Sequence, residues 1–92
     1  MRIDVTCMPT AGGHRCEVDV VDSRSTTHHS VEVSTADLDR WGRGRSAEDL
    51  VRESFRFLLE REPKESLLRE FTLSVITRYF PDYENAITRG RP

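Results

Sequence analysis

Apolar and polar residues alternate through the first third of the chain. Ile3, Val5 and Cys7 are separated by Asp4 and Thr6, Cys16, Val18 and Val20 by Glu17 and Asp19, and Val31 and Val33 by Glu32. A period of two marks a strand with one buried face. Turn-forming clusters, Pro9-Thr10-Ala11-Gly12-Gly13 and Asp22-Ser23-Arg24-Ser25-Thr26-Thr27, separate the three runs. This spacing predicts an antiparallel meander. Its register follows from keeping the apolar positions on one face. Val5 opposite Val18 and Ile3 opposite Val20 bring Cys7 opposite Cys16, and Val20 opposite Val31 brings Val18 opposite Val33.

Beyond Ser34 the period lengthens to that of a helix. Ser34-Thr35-Ala36-Asp37 resembles a capping box and opens a short helix carrying Leu38 and Trp41, which Gly42 and Gly44 end. Ser46-Ala47-Glu48-Asp49 opens the main helix. Leu50, Val51, Ser54, Phe55, Leu58 and Leu59 form its apolar stripe as far as Glu62, and Pro63 stops it. A short helix is expected from Pro63 to Phe71 with Leu67, Leu68 and Phe71 inward. Thr72 or Ser74 then caps a last one carrying Val75, Ile76, Tyr79 and Phe80. Glu48, Arg52, Arg56 and Glu60 recur every four residues, the pattern of an ion-paired solvent face. The expected architecture is α+β: a three-stranded antiparallel meander packed on one face by one main helix and two to three short helices. It occupies residues 1–85 as a single domain, with a frayed tail over 86–92.

At 92 residues the chain buries only ~60 to 65% of its unfolded surface, so it has little stability to spare. The longest uninterrupted apolar run is Phe57–Leu59, too short for a membrane span or a secretion signal, which leads us to expect a cytoplasmic protein with no membrane contact. Fourteen basic against 16 acidic residues leave a formal charge of −2, unlike a strong polyanion binder. All the basic residues except Lys64 are arginines, a bias we attribute to codon usage.

Cys7, His14, Cys16, His28 and His29 share the vocabulary of zinc sites, but their spacing is unlike a paired knuckle. The preferred reading makes Cys7 and Cys16 unbonded core residues; a cross-strand disulfide and a metal site are the alternatives. His28 and His29 stand at a loop-to-strand junction and point to opposite faces, so they cannot readily chelate one ion together. No phosphate loop, nucleophile elbow or zinc-protease motif is present, Gly12-Gly13 reads as a hairpin turn, and so short a chain struggles to enclose a pocket. We therefore expect no catalytic residues, no cofactor and no enzyme. Arg40, Arg43 and Arg45 precede Ser46 at the start of the main helix, where free N–H groups attract an anion. These four are the candidate nucleic-acid contacts; the alternative is a solvated connector paired with Asp37, Asp39, Glu48 or Asp49.

Val31-Glu32-Val33, the short helix with Leu38, the glycine turn and Arg45-Ser46-Ala47-Glu48-Asp49-Leu50-Val51-Arg52-Glu53-Ser54 resemble the strand, helix, turn and second helix of ribbon-helix-helix repressors and antitoxins. The resemblance covers about a third of the chain. It implies that Ser30, Glu32 and Ser34 face DNA bases while Arg45 and Ser46 hold the backbone. Three features depart from the family: a first helix about one turn short, an acid at Glu32, and two preceding strands. Phe57-Leu58-Leu59-Glu60-Arg61-Glu62-Pro63 and Phe71-Thr72-Leu73-Ser74-Val75-Ile76-Thr77-Arg78-Tyr79-Phe80-Pro81 are similar to small bacterial proteins of about this length. That likeness implies a recurring layout and no particular activity.

Large apolar residues remain after the sheet is covered, which points to a homodimer with Trp41, Phe57, Tyr79 and Phe80 at its interface and Phe57 as anchor. The alternative is burial of all of them within one chain. Of the two edge strands, the one at Thr27 to Ser34 carries few gatekeeping residues and is the edge expected to be joined or covered. The leading functional reading is a non-enzymatic interaction or regulatory module with a protein partner; the alternative is a ribbon-helix-helix-like DNA-binding regulator. Full use of the three arginines gives a salt slope of only about −2.7 per monomer, at roughly −0.9 per phosphate. A salt titration of duplex DNA binding should therefore find weak association. Sub-micromolar binding near physiological salt, abolished by changing all three to Ala, would reverse the ranking.

Overall fold

Three nine-residue strands, β1 (Arg2–Thr10), β2 (Gly13–Val21) and β3 (Thr26–Ser34), form an antiparallel meander in this computed structural model, which describes residues 1–89. Pairing between β1 and β2 matches expectation, with Val5 opposite Val18 and Cys7 opposite Cys16. Their hairpin turns through Ala11 and Gly12. A Cβ at Gly13 would collide with the Val33 carbonyl oxygen, so only glycine fits where the hairpin tip meets the end of β3.

The second pairing differs from expectation: Val18 stands opposite His29, Val20 opposite Thr27, and Val31 opposite Cys16. Asp22 explains the shift. Its Oδ1 accepts from the backbone N–H groups of Arg24 (2.8 Å) and Ser25 (2.9 Å), and its own N–H donates to the Ser25 carbonyl at 3.1 Å. The tight turn draws Thr26 to His29 into β3 instead of leaving a long loop. Because the displacement is an even number of residues, the apolar positions keep their face.

A fourth strand, β4 (Glu70–Thr72), pairs parallel to β3 and makes the sheet order β1-β2-β3-β4. The expected helix over Pro63 to Phe71 is replaced by a 3-10 turn at Lys64–Ser66 and extended chain. Open hydrogen-bonding groups on β3 provide the reason. Ser30 N–H donates to the Arg69 carbonyl at 2.7 Å, a bond that a helical Arg69 could not accept in this place. Lys64 pins the turn from the other side: its buried Nζ donates to Asp22 Oδ2 and Ser25 Oγ, both at 2.8 Å, and to Glu65.

Helix α1 (Thr35–Gly42) begins at Ser34, whose Oγ accepts from Asp37 N–H at 3.0 Å, and ends at Arg43 in the left-handed region with φ of 52°. Helix α2 (Ala47–Leu59) is capped the same way by Ser46, which accepts from Asp49 N–H at 3.1 Å. Leu50, Val51, Phe55 and Leu58 are buried and join Cys16, Val18, Val20, Val31 and Val33 of the sheet in one core. After a 3-10 turn at Leu73–Val75 come α3 (Ile76–Tyr79) and α4 (Tyr83–Thr88). The expected frayed tail is thus helical from Ala86 to Thr88, anchored by buried Ile87. Its last residues, 90–92, lie outside the described residues.

Cys7 and Cys16 form a disulfide, against the expectation of unbonded core thiols. Their directly opposed positions, with Cα atoms 4.0 Å apart, bring the two sulfurs together.

Phe55 is fully buried, with His29 at 5.3 Å and Phe71 at 6.1 Å between ring centroids. Phe55→Ala should cost about 3 to 5 kcal/mol, comparable with the whole stability of so small a domain. Chemical denaturation checks this; a near-wild-type midpoint would contradict the placement of Phe55 in the core.

Candidate functional site

An apolar groove of about 390 Å³ opens at the β4 end of the molecule. Leu58 on the last turns of α2 forms its floor together with Ile76. Leu67, Leu68 and Phe71 form one wall, and Val75, Tyr79 and Phe80 the other. Leu68 is 48% exposed and Tyr79 66% exposed, so the groove presents large apolar side chains to water. Its volume falls within the range of ligand sites, which the length of the chain gave no reason to expect.

The wall carrying Leu68 is held by the sheet. His29 is buried, and its Nδ1–H donates to the Leu68 carbonyl at 2.8 Å. Since that oxygen can only accept, Nε2 is the unprotonated nitrogen and accepts a hydrogen bond from the Thr27 hydroxyl at 2.9 Å. Burial holds the His29 pKa below that of a free imidazole. His28, the next residue, faces the opposite side of the sheet. It lies 2.6 Å from Asp19 and 2.8 Å from Glu17, and these hydrogen bonds raise its pKa. Ser30 also donates to Glu17 at 2.7 Å, which lowers the pKa of that carboxylate.

The four candidate nucleic-acid residues do not assemble into an anion site. Arg45 donates from Nε to the Gly42 carbonyl at 2.9 Å and from Nη2 to the carbonyls of Trp41 (3.0 Å) and Ile87 (2.5 Å), tying α1 to α4. Arg40 reaches Glu84 at 3.4 Å and lies over the Trp41 ring at 5.2 Å. Arg43 closes α1, and Ser46 spends its hydroxyl oxygen on capping α2. Of the positions that the ribbon-helix-helix resemblance directs to bases, Ser30 bonds Glu17, Glu32 lies 3.6 Å from Arg15, and Ser34 caps α1. Both edges of β3 already pair within the chain, β2 along its length and β4 at Ser30 to Glu32, which leaves no edge there for a dimer ribbon.

The four expected interface residues divide evenly. Trp41 is only 2% exposed, against Tyr83. Phe57, the expected anchor, is 6% exposed; its ring stands edge-on to Phe80 and Tyr83, and the Arg61 guanidinium covers it at 3.6 Å. The C-terminal segment widens the buried arc of α2 beyond its apolar stripe, and this encloses Phe57. Tyr83 is secured from behind: Ser54 Oγ donates to the Leu50 carbonyl at 2.8 Å and so accepts from the Tyr83 hydroxyl at 2.6 Å. Burial raises the pKa of that phenol. Tyr79 and Phe80 remain, and both line the groove.

A polar cleft of about 450 Å³ lies between α2 and α4, but its Arg56 is paired with Glu53 at 2.6 Å and its Arg45 is bound to backbone. Among the described residues no group of three or more His, Cys, Asp or Glu is placed to hold a metal ion, and no helix is long and apolar enough to cross a membrane. Comparison with protein-family models, curated proteins and solved structures finds no match to this chain.

The adjacent histidines should give opposite pH signatures. The raised pKa of His28 contributes stability that is full below 6.5 and is lost as pH rises through its folded value. The lowered pKa of His29 contributes stability that is present above 6.5 and is lost as pH falls through the window below it. Melting curves at about pH 5.5 and about pH 8 should therefore show His28→Gln losing more relative to wild type in acid, and His29→Gln losing more in base. Deficits independent of pH would contradict these assignments.

Proposed function

We propose that this protein is a non-enzymatic interaction module, assembled as a homodimer, whose working surface is the apolar groove. The exposed pair Leu68 and Tyr79 beside a groove lined by Leu58, Phe71 and Phe80 carries the reading. Water-exposed apolar surface of this kind is costly in a small domain unless another protein covers it. Arg69 and Arg78, both exposed, lie in the segments that form the walls, and Glu62 lies in the lining. A groove with apolar walls and charged residues close by in sequence suits an amphipathic segment of a partner protein.

The DNA-binding alternative gains no support from the placement of its residues, since Arg45 and Ser46 are engaged in holding helix ends.

A photoreactive side chain substituted for Tyr79 should give discrete protein adducts in cells, and a second change, Leu68→Asp, should remove them. The control position is Arg56, exposed on α2. Adducts identical from both positions, or none from position 79, would overturn the groove as the working surface.

A further inference from the structure

We propose that the homodimer forms by antiparallel pairing of the outer edges of two β1 strands about a two-fold axis through Val5. This rests on the homodimer reading above and assigns its seam.

Along an antiparallel ladder, residues alternate between those bonded to the neighbouring strand and those whose N–H and C=O point away. The 4.0 Å separation of the Cys7 and Cys16 Cα atoms is the narrow spacing of a non-hydrogen-bonded pair. The hairpin gives the same phase: its two-residue turn makes Thr10 and Gly13 the bonded closing pair, and Cys7 lies an odd number of residues away. Ile3, Val5, Cys7 and Pro9 therefore turn their main-chain groups outward. β1 ends the sheet on that side, whereas β4 shields the centre of β3 on the other.

The second copy is the occupant that this edge fits. With Val5 opposite Val5, Ile3 stands opposite Cys7 of the other chain, and each of three pairs exchanges two bonds, about six in all. Every outward N–H and C=O of Ile3, Val5 and Cys7 then has a partner. The neighbouring two-fold registers are worse. One sets Asp4 against Asp4, a like-charge pair. The other sets Ile3 against Pro9, which has no N–H to give the Ile3 carbonyl. In the assigned register the half-buried Ile3, Val5 and Cys7 meet one another on the helical face, and Asp4 meets Thr6 on the other. Pro9 limits the pairing to one end of the strand. Phe71 of β4 lines the groove, so both grooves stay open at the far edges of an eight-stranded sheet.

Light scattering of the full chain should give about twice 10.6 kDa. Amide exchange at Ile3, Val5 and Cys7 should be slowed about tenfold or more at high concentration and released on dilution. Val5→Pro should have the mass of one chain and stay folded, because its N–H is not bonded to β2, just as Pro9 is accommodated in the same phase. Tyr79→Ser should remain dimeric. A wild-type mass of one chain overturns both the dimer and its seam. A dimer that survives Val5→Pro, dissolves with Tyr79→Ser, or leaves the three amides exchanging fast overturns the seam and leaves the homodimer standing. If Val5→Pro does not fold, the exchange measurement on the wild type decides.

Discussion

β3 lies in the interior of the sheet, so the main-chain groups on both of its edges need partners, and the C-terminal third of the chain is arranged around that need. β2 satisfies one edge over nine residues, but the other has to be met by chain that has already passed through two helices. Two ties do this, the β4 pairing and the bond from Ser30 N–H to the Arg69 carbonyl, and the His29 ring adds a side-chain bond to the Leu68 carbonyl. Holding Leu68 to Thr72 extended against β3 turns Phe71 toward Phe55. It also places α3 where Tyr79 and Phe80 face Leu67 and Leu68 across a gap. The groove is thus lined by this extended segment and by the helix that follows it, with Leu58 of α2 beneath.

Where the sequence carried a local rule, the structure follows it. Alternating valines, the serine caps of α1 and α2, and the apolar stripe of α2 are short-range patterns, and each appears near its expected place. The departures come from long-range demands. The propensity of residues 63–71 favours another helix, yet the strand edge at residues 30–32, which needs a partner, outweighs it. The register of β2 on β3 was decided by the Asp22 side chain closing a tight turn, while matching valine to valine would have suggested a longer loop. Helix α4 lacks enough apolar positions to announce itself, and it is held by Ile87, Tyr83 and the Arg45 bridge.

The candidate site was legible only in part. Tyr79 and Phe80 could be picked out as surplus apolar surface, but Phe57 and Trp41 were indistinguishable from them by type, and only the path of the C-terminal segment separates the buried pair from the pair at the groove. His29 is the residue that sequence reasoning undervalued. Its signal was parity: it shares a face with Val31 and Val33, which places an imidazole in the core, where it needs specific partners. The opposition of Cys7 and Cys16 is legible in the strand alternation, but their bond is not, because a small apolar residue facing the core suits that position equally well. A persistent disulfide is at home in an oxidising environment, so the Cys7–Cys16 bond and the expectation of a cytoplasmic address pull in opposite directions.

Lys64 has a consequence for how the molecule can be modified. It is the only lysine in the chain, and it is buried beneath the Asp22 turn with its ammonium group committed to Asp22, Glu65 and Ser25. Partnering with the two carboxylates keeps it protonated, which denies it a nucleophilic lone pair as well as access. No side chain of the folded protein therefore offers a reactive primary amine. Amine-directed acylating reagents and fixatives, and enzymes that conjugate through lysine, find no side-chain amine on its surface, while opening of the Asp22 turn would expose one. Acylation of Lys64 is consequently a chemical reporter of local unfolding at a single place.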